Sequence, residues 1–96
     1  MPAYVIGRVT MKNPDRYSDY AAHTPRTIAN HGGRFIVRGG KVVTKEGPEE
    51  TRRLVVIEFP SMEAAESWYS SAEYRDILPI RLEASEGEMI MVEGVE

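Results

Sequence analysis

Arg8, Arg38 and Glu58 each stand inside an otherwise apolar run, in Val5-Ile-Gly-Arg-Val9, Phe35-Ile-Val-Arg38 and Val55-Val-Ile-Glu-Phe59. Guanidinium groups so placed can grip a carboxylate by paired hydrogen bonds, which would make an anion-binding floor on one sheet face. The structural alternative is an ion network in which Glu58 neutralises the two arginines, because buried charge survives when it is paired. Strand alternation lets Arg8, Arg38 and Glu58 form one charged row across the sheet. Arg38 then falls opposite Glu58 and Phe59, provided the hairpin between them closes near Lys45 and Arg52.

Other residues offer less specific chemistry. His31 follows a helical pattern, where the helix dipole favours an imidazolium, and either it or a tyrosine could handle protons as a general base. No nucleophile motif and no orienting carboxylate accompany the histidine, so a capping role competes with catalysis. Tyr17, Tyr20, Trp68, Tyr69 and Tyr74 are five of the eight aromatic residues and concentrate on the expected helices. Facing the sheet, these five would line a cleft suited to an apolar ligand, with Arg38, Glu58 or Arg81 meeting their polar tips. Plain core packing is the alternative for each. Asp19 and His23, four apart, lack a third ligand at workable spacing, so no metal site is expected. Gly32-Gly33 and Gly39-Gly40 do not match a phosphate-cradling G-x-G-x-x-G loop.

The elements that must position these residues follow from the pattern. Ala3–Met11 reads as a buried strand, rich in Tyr, Val, Ile and Thr. Asn13-Pro14 starts a helix, with Asn as N-cap and Asp15 in the first turn. Pro25 should kink or restart that helix with Thr24 as a new cap, and Gly32 should close it. Arg34–Arg38 is a strand, Gly39-Gly40 a bulge or tight turn, and Lys41–Lys45 its continuation into a hairpin through Glu46-Gly-Pro-Glu49. Arg53–Phe59 is the most apolar strand and is expected to be central. Ser61 caps a second helix, the Ser70-x-x-Glu73 capping box opens a further helical segment kinked at Pro79, and Glu88–Val95 is the last strand.

This β-α-β-β-α-β order is the α+β, ferredoxin-like arrangement, a four-stranded antiparallel sheet with helices on one face. Both Arg53–Phe59 and Glu88–Val95 carry apolar side chains on both faces, unlike an antiparallel strand with one wet face. A second copy of the same sheet would cover the outer face and give a symmetric homodimer.

Composition narrows the classes. Ninety-six residues make one domain, 1–96, with 28% charged residues and a net charge of −3, which gives no basic stripe for nucleic acid. No apolar run is long enough for a membrane span, and the start does not read as a signal peptide. The chain has no cysteine, which excludes thiolate chemistry and fits a reducing cytoplasm.

His31-Gly-Gly-Arg-Phe-Ile-Val-Arg-Gly-Gly40, Val56-Ile-Glu-Phe-Pro60, Ala64-Ala-Glu-Ser-Trp-Tyr-Ser-Ser-Ala-Glu-Tyr74 and Arg81 together resemble the domain of unknown function 1330 (DUF1330) family. The likeness runs from Tyr4 to Gly94 in order and spacing. It implies a dimeric α/β barrel, in which two ferredoxin-like subunits pack their sheets together. Antibiotic-biosynthesis monooxygenases, muconolactone isomerases and haem-dependent chlorite dismutases share that superfamily. The family has no agreed activity, and fold alone does not license one.

The expectation is therefore a homodimer that binds a small organic ligand, anionic or aromatic, between helices and sheet, without a cofactor. Ligand-binding candidates are Arg8, Tyr20, Arg38, Glu58, Trp68, Tyr74 and Arg81. One alternative is a cofactor-independent monooxygenase- or isomerase-like enzyme acting on a small organic acid. Another is a structural or interaction module.

Overall fold

Asn13 starts the first helix as its side chain predicts, its Oδ1 accepting the Arg16 N–H at 3.1 Å with Pro14 at the first helical position. The computed structural model describes residues 1–96, in the order β1 (Ala3–Met11), α1 (Pro14–Ala29), β2 (Arg34–Arg38), β3 (Arg53–Phe59), α2 (Met62–Ser70), α3 (Ala72–Ala84) and β4 (Ser85–Glu93). The four strands form one antiparallel sheet in the order β2-β3-β1-β4. The α+β, ferredoxin-like expectation holds.

Pro25 does not break α1. The helix runs unbroken to Ala29, and the Thr24 hydroxyl donates back to the Tyr20 carbonyl at 2.6 Å instead of capping a new turn. The helix ends where Gly32, at φ +78°, takes the left-handed conformation. The Gly32 and Gly33 N–H groups then bond to Ala29 and Ile28 carbonyls, each at 3.0 Å, the paired bonds of a Schellman ending. The cap of α3 is Ser71, one residue later than the capping-box reading. Its Oγ accepts from Tyr74 N–H and donates to the Trp68 carbonyl, so one hydroxyl closes α2 and opens α3.

β2 and β3 pair as an antiparallel hairpin, but its expected extension through Lys41–Lys45 is absent. Arg34 lies opposite Glu58 and Arg38 opposite Val55, so the strands meet near Gly39 and Arg53, and the chain between them forms neither helix nor strand. The bulge lies between Phe35 and Val37, not at Gly39-Gly40. Gly39, at φ +72°, ends β2 with its N–H on the Leu54 carbonyl.

Helices cover one face of the sheet. Ala3, Val5 and Val9 of β1 and Ile57 and Phe59 of β3 are buried there with Ile28, Trp68, Tyr74 and Leu78. The outer face presents Ile6, Leu54, Val56, Ile90 and Val92 by strand alternation, and Ile90 is 50% exposed. Ion pairs occupy its ends. Arg34 meets Glu58 at 3.0 Å, while Arg8 and Arg52 both hold Glu50 and Arg52 reaches Glu88. Hydrogen bonds from Arg52 keep the Glu50 carboxyl below the usual carboxylate range.

The seam between α1 and β3 is tight. A Cβ on Gly33 would lie 2.5 Å from Phe59 Cε1 and 2.8 Å from Ile28 Cγ2, whereas one on Gly40 would meet nothing within 4 Å. Gly33→Ala is expected to lower unfolding free energy by about 1–3 kcal/mol through overpacking, while Gly40→Ala should be neutral or stabilise by up to about 1 kcal/mol. Chemical denaturation of both variants checks the contrast.

Candidate functional site

Between α1 and the inner face of the sheet lies a cavity of about 30 Å³. Its floor is Val5, Gly7 and Val9 of β1 with Val55 and Ile57 of β3, and its roof is Tyr17, Tyr20, Ala21 and Thr24 of α1. Phe35 and Met89 close the sides. Three guanidinium groups, of Arg38, Arg53 and Arg81, line the same space, and no carboxylate does.

Arg38 reaches the cavity because of the β2 bulge. One extra residue between Phe35 and Val37 shifts the alternation, so Arg38 shares the inner face with Phe35 and its guanidinium lies 4.4 Å over that ring. Its Nη2 donates to the Ala21 carbonyl at 2.8 Å. That carbonyl would ordinarily accept from residue 25, but Pro25 has no N–H. The proline thus opens an acceptor within α1, and Arg38 occupies it.

Arg53 and Arg81 are held differently. Each has its Nε buried with no acceptor on the protein, and Arg81 is only 8% exposed. An unmade hydrogen bond to a buried donor costs about 1–3 kcal/mol, more for a charged group. Gly39 seats Arg53, because a Cβ there would overlap the guanidinium Nη1. Beside Arg81, the Tyr20 and Tyr74 hydroxyls meet at 2.8 Å. Burial, reinforced by the Tyr74 hydroxyl, pushes Tyr20 far above the ordinary phenol value of 10.0. Tyr74 is also raised, chiefly by burial, with Arg81 acting in the opposite direction.

The cavity brings together Tyr20, Arg38 and Arg81 of the sequence candidates, with Tyr74 one hydrogen bond behind. Trp68 packs 4.2 Å from Tyr74 between ring centres and donates from Nε1 to Thr27 Oγ1 at 3.0 Å, away from the cavity lining. The expected row of Arg8, Arg38 and Glu58 does not form. Arg8 and Glu58 lie at opposite ends of the outer face, across from Leu54 and Tyr4, while the bulge turns Arg38 inward. Glu58 binds Arg34 and Tyr4 instead, and with its side chain 29% exposed it carries no buried network. His31 also lies outside the cavity, its Nδ1 on the Thr27 carbonyl at 3.0 Å and near Glu73 at 3.4 Å, tying the end of α1 to the start of α3. Asp19 pairs with Arg16.

Sequence reasoning missed Arg53 and Thr24 as lining residues, while Tyr17, named with the other helix aromatics, does line the cavity. Arg53 was within reach, since counting back in twos from Phe59 through Ile57 and Val55 puts it on the inner face.

Residues 2–95 match the family described as a domain of unknown function (DUF1330). No curated protein matches the sequence. Among solved structures, a protein of unknown function from Rhodopseudomonas palustris is similar over 99% of this chain and 83% of its own, with TM-score 0.78 and 18% identity. SnoaB, a cofactor-independent oxygenase from Streptomyces nogalater, is similar over 99% and 94%, with TM-score 0.71 and 12% identity. The Arabidopsis thaliana protein At3g17210 matches over 100% and 97%, with TM-score 0.69 and 13% identity. At these identities the likeness establishes the fold.

The tyrosine pair gives a pH signature. Both phenols hold their protons more tightly folded than unfolded, so their contribution to stability is complete below pH 10 and is lost as pH rises above it. Denaturant midpoints should fall through the alkaline range, and Tyr20→Phe should make that fall shallower.

Proposed function

The chain belongs to the DUF1330 family, and from that premise we propose that it is a homodimeric binding protein for a small organic anion, which enters the cavity between α1 and the sheet. The observation that carries this reading is the lining itself: three arginines, an apolar floor and no acidic residue. A ligand with a negative charge and an apolar body supplies what those groups lack. The cavity of about 30 Å³ suits little more than a water molecule, so occupancy requires side-chain movement. Arg38 is the group placed to move, being exposed and held by one hydrogen bond and one ring contact.

The dimer reading rests on the outer face. Ile36, Ile90 and Val92 are 44%, 50% and 45% exposed on a sheet face that no helix of the chain covers. An apolar centre with ion pairs at both ends is a self-complementary surface for an identical sheet. A single domain without cysteine also fits a cytoplasmic setting.

A second reading, cofactor-independent catalysis on the same kind of acid, is favoured by the Tyr20–Tyr74 hydroxyl pair beside Arg81. The fold shared with SnoaB adds support by analogy alone.

Two measurements test the proposal. Benzoate added to the labelled protein should shift amide resonances of Val55, Ile57, Tyr20 and Ala21, and benzylamine should not; equal response to both removes the anion reading. Light scattering should give twice the chain mass of 10.8 kDa, and Ile90→Glu should halve it; a wild-type monomer at micromolar concentration removes the dimer.

A further inference from the structure

We propose that Arg53 and Arg81 form a head-group clamp for one carboxylate, whose flat apolar body extends toward Phe35 and Ala21. This rests on the organic-anion reading and names the ligand class and the residues that select it. Arg53 stands opposite Val9, near the end of β1. Arg81 lies one turn before Ala84, whose carbonyl accepts the Lys12 and Asn13 N–H groups just beyond that same strand. The two side chains, from β3 and α3, thus line the cavity from opposite layers. Each brings a buried Nε–H without a protein acceptor, and neither has an ion-pair partner.

The remaining polar groups limit what the clamp accepts. The Thr24 hydroxyl is spent on the Tyr20 carbonyl, and the Tyr20 hydroxyl is shared with Tyr74. Arg38, held by the Ala21 carbonyl and the Phe35 ring, is the group that moves to admit the ligand's body. The free donors are thus the Nε–H groups of two planar forks, whose geometry matches the two oxygens of a carboxylate. A tetrahedral phosphate would press its further oxygens against Val9 and Val55, where no donor meets them.

The arginine Nε–H resonances of the intact protein report on this directly. Titration with benzoate should shift the Nε–H signals of both Arg53 and Arg81, with inorganic phosphate binding at least about tenfold more weakly. Arg53→Gln and Arg81→Gln should each weaken benzoate by about tenfold or more, with the fold checked by the amide spectrum. If Arg81→Gln fails to fold, Arg53→Gln, at the less buried start of β3, carries the same test. Benzoate binding that leaves both Nε signals unmoved, or phosphate binding equally well, overturns the clamp and leaves an anion site in place. Failure of every anion to bind overturns the clamp and the organic-anion reading together.

Discussion

A guanidinium withdrawn from water requires an opposite charge or a set of acceptors, yet Arg53 and Arg81 have no ion-pair partner and each leaves a buried Nε–H without an acceptor. The rest of the charge distribution makes this unusual. Glu50, Glu58 and Glu88 are tied to arginines on the outer face, Glu73 joins the helix ends, and Glu83 pairs with Arg16 on the surface. A chain with a net charge of −3 thus keeps its acids away from the one cavity its helices roof over. The positive charge there is local: Arg81 is buried, Arg53 is half-buried and Arg38 is exposed.

The separation of charge depends on one extra residue. Without the bulge between Phe35 and Val37, strand alternation would put Arg38 on the outer face with Arg34. Charge would then collect on the surface that carries Ile90 and Val56, and the cavity would lose its exposed arginine. Instead the outer face keeps an apolar centre, and the inner face gains a cation that a ring and a helix carbonyl hold in place.

Much of the fold was legible in the sequence, and the exceptions have physical causes. Asn13, Pro14 and Ser61 act locally, so their caps were readable, as were the strands with apolar residues on both faces. The bulge was misplaced because Gly39-Gly40 looked like the flexible point, whereas the extra residue sits at Ile36, which no local preference marks. The hairpin is shorter than expected because Val42 and Val43 suit a strand by type, yet neither pairs with one. At the site, Tyr20 and Arg81 were recoverable from helical spacing. Arg38 was singled out for a partner, Glu58, that lies on the opposite face. Arg53 was overlooked although its register with Phe59 gave its side.

Pro25 also bears on how stability and function are divided in this chain. A proline inside a helix is a local weakness, of the kind that consensus or stability-guided engineering would remove first. Here the weakness supplies the acceptor for Arg38, so the defect in one element is the docking point for another. An alanine at that position would return an N–H to the helix, and two donors would then compete for the Ala21 carbonyl. A gain in the rigidity of α1 would come as a loss of control over Arg38, and the two properties cannot be optimised separately at this residue.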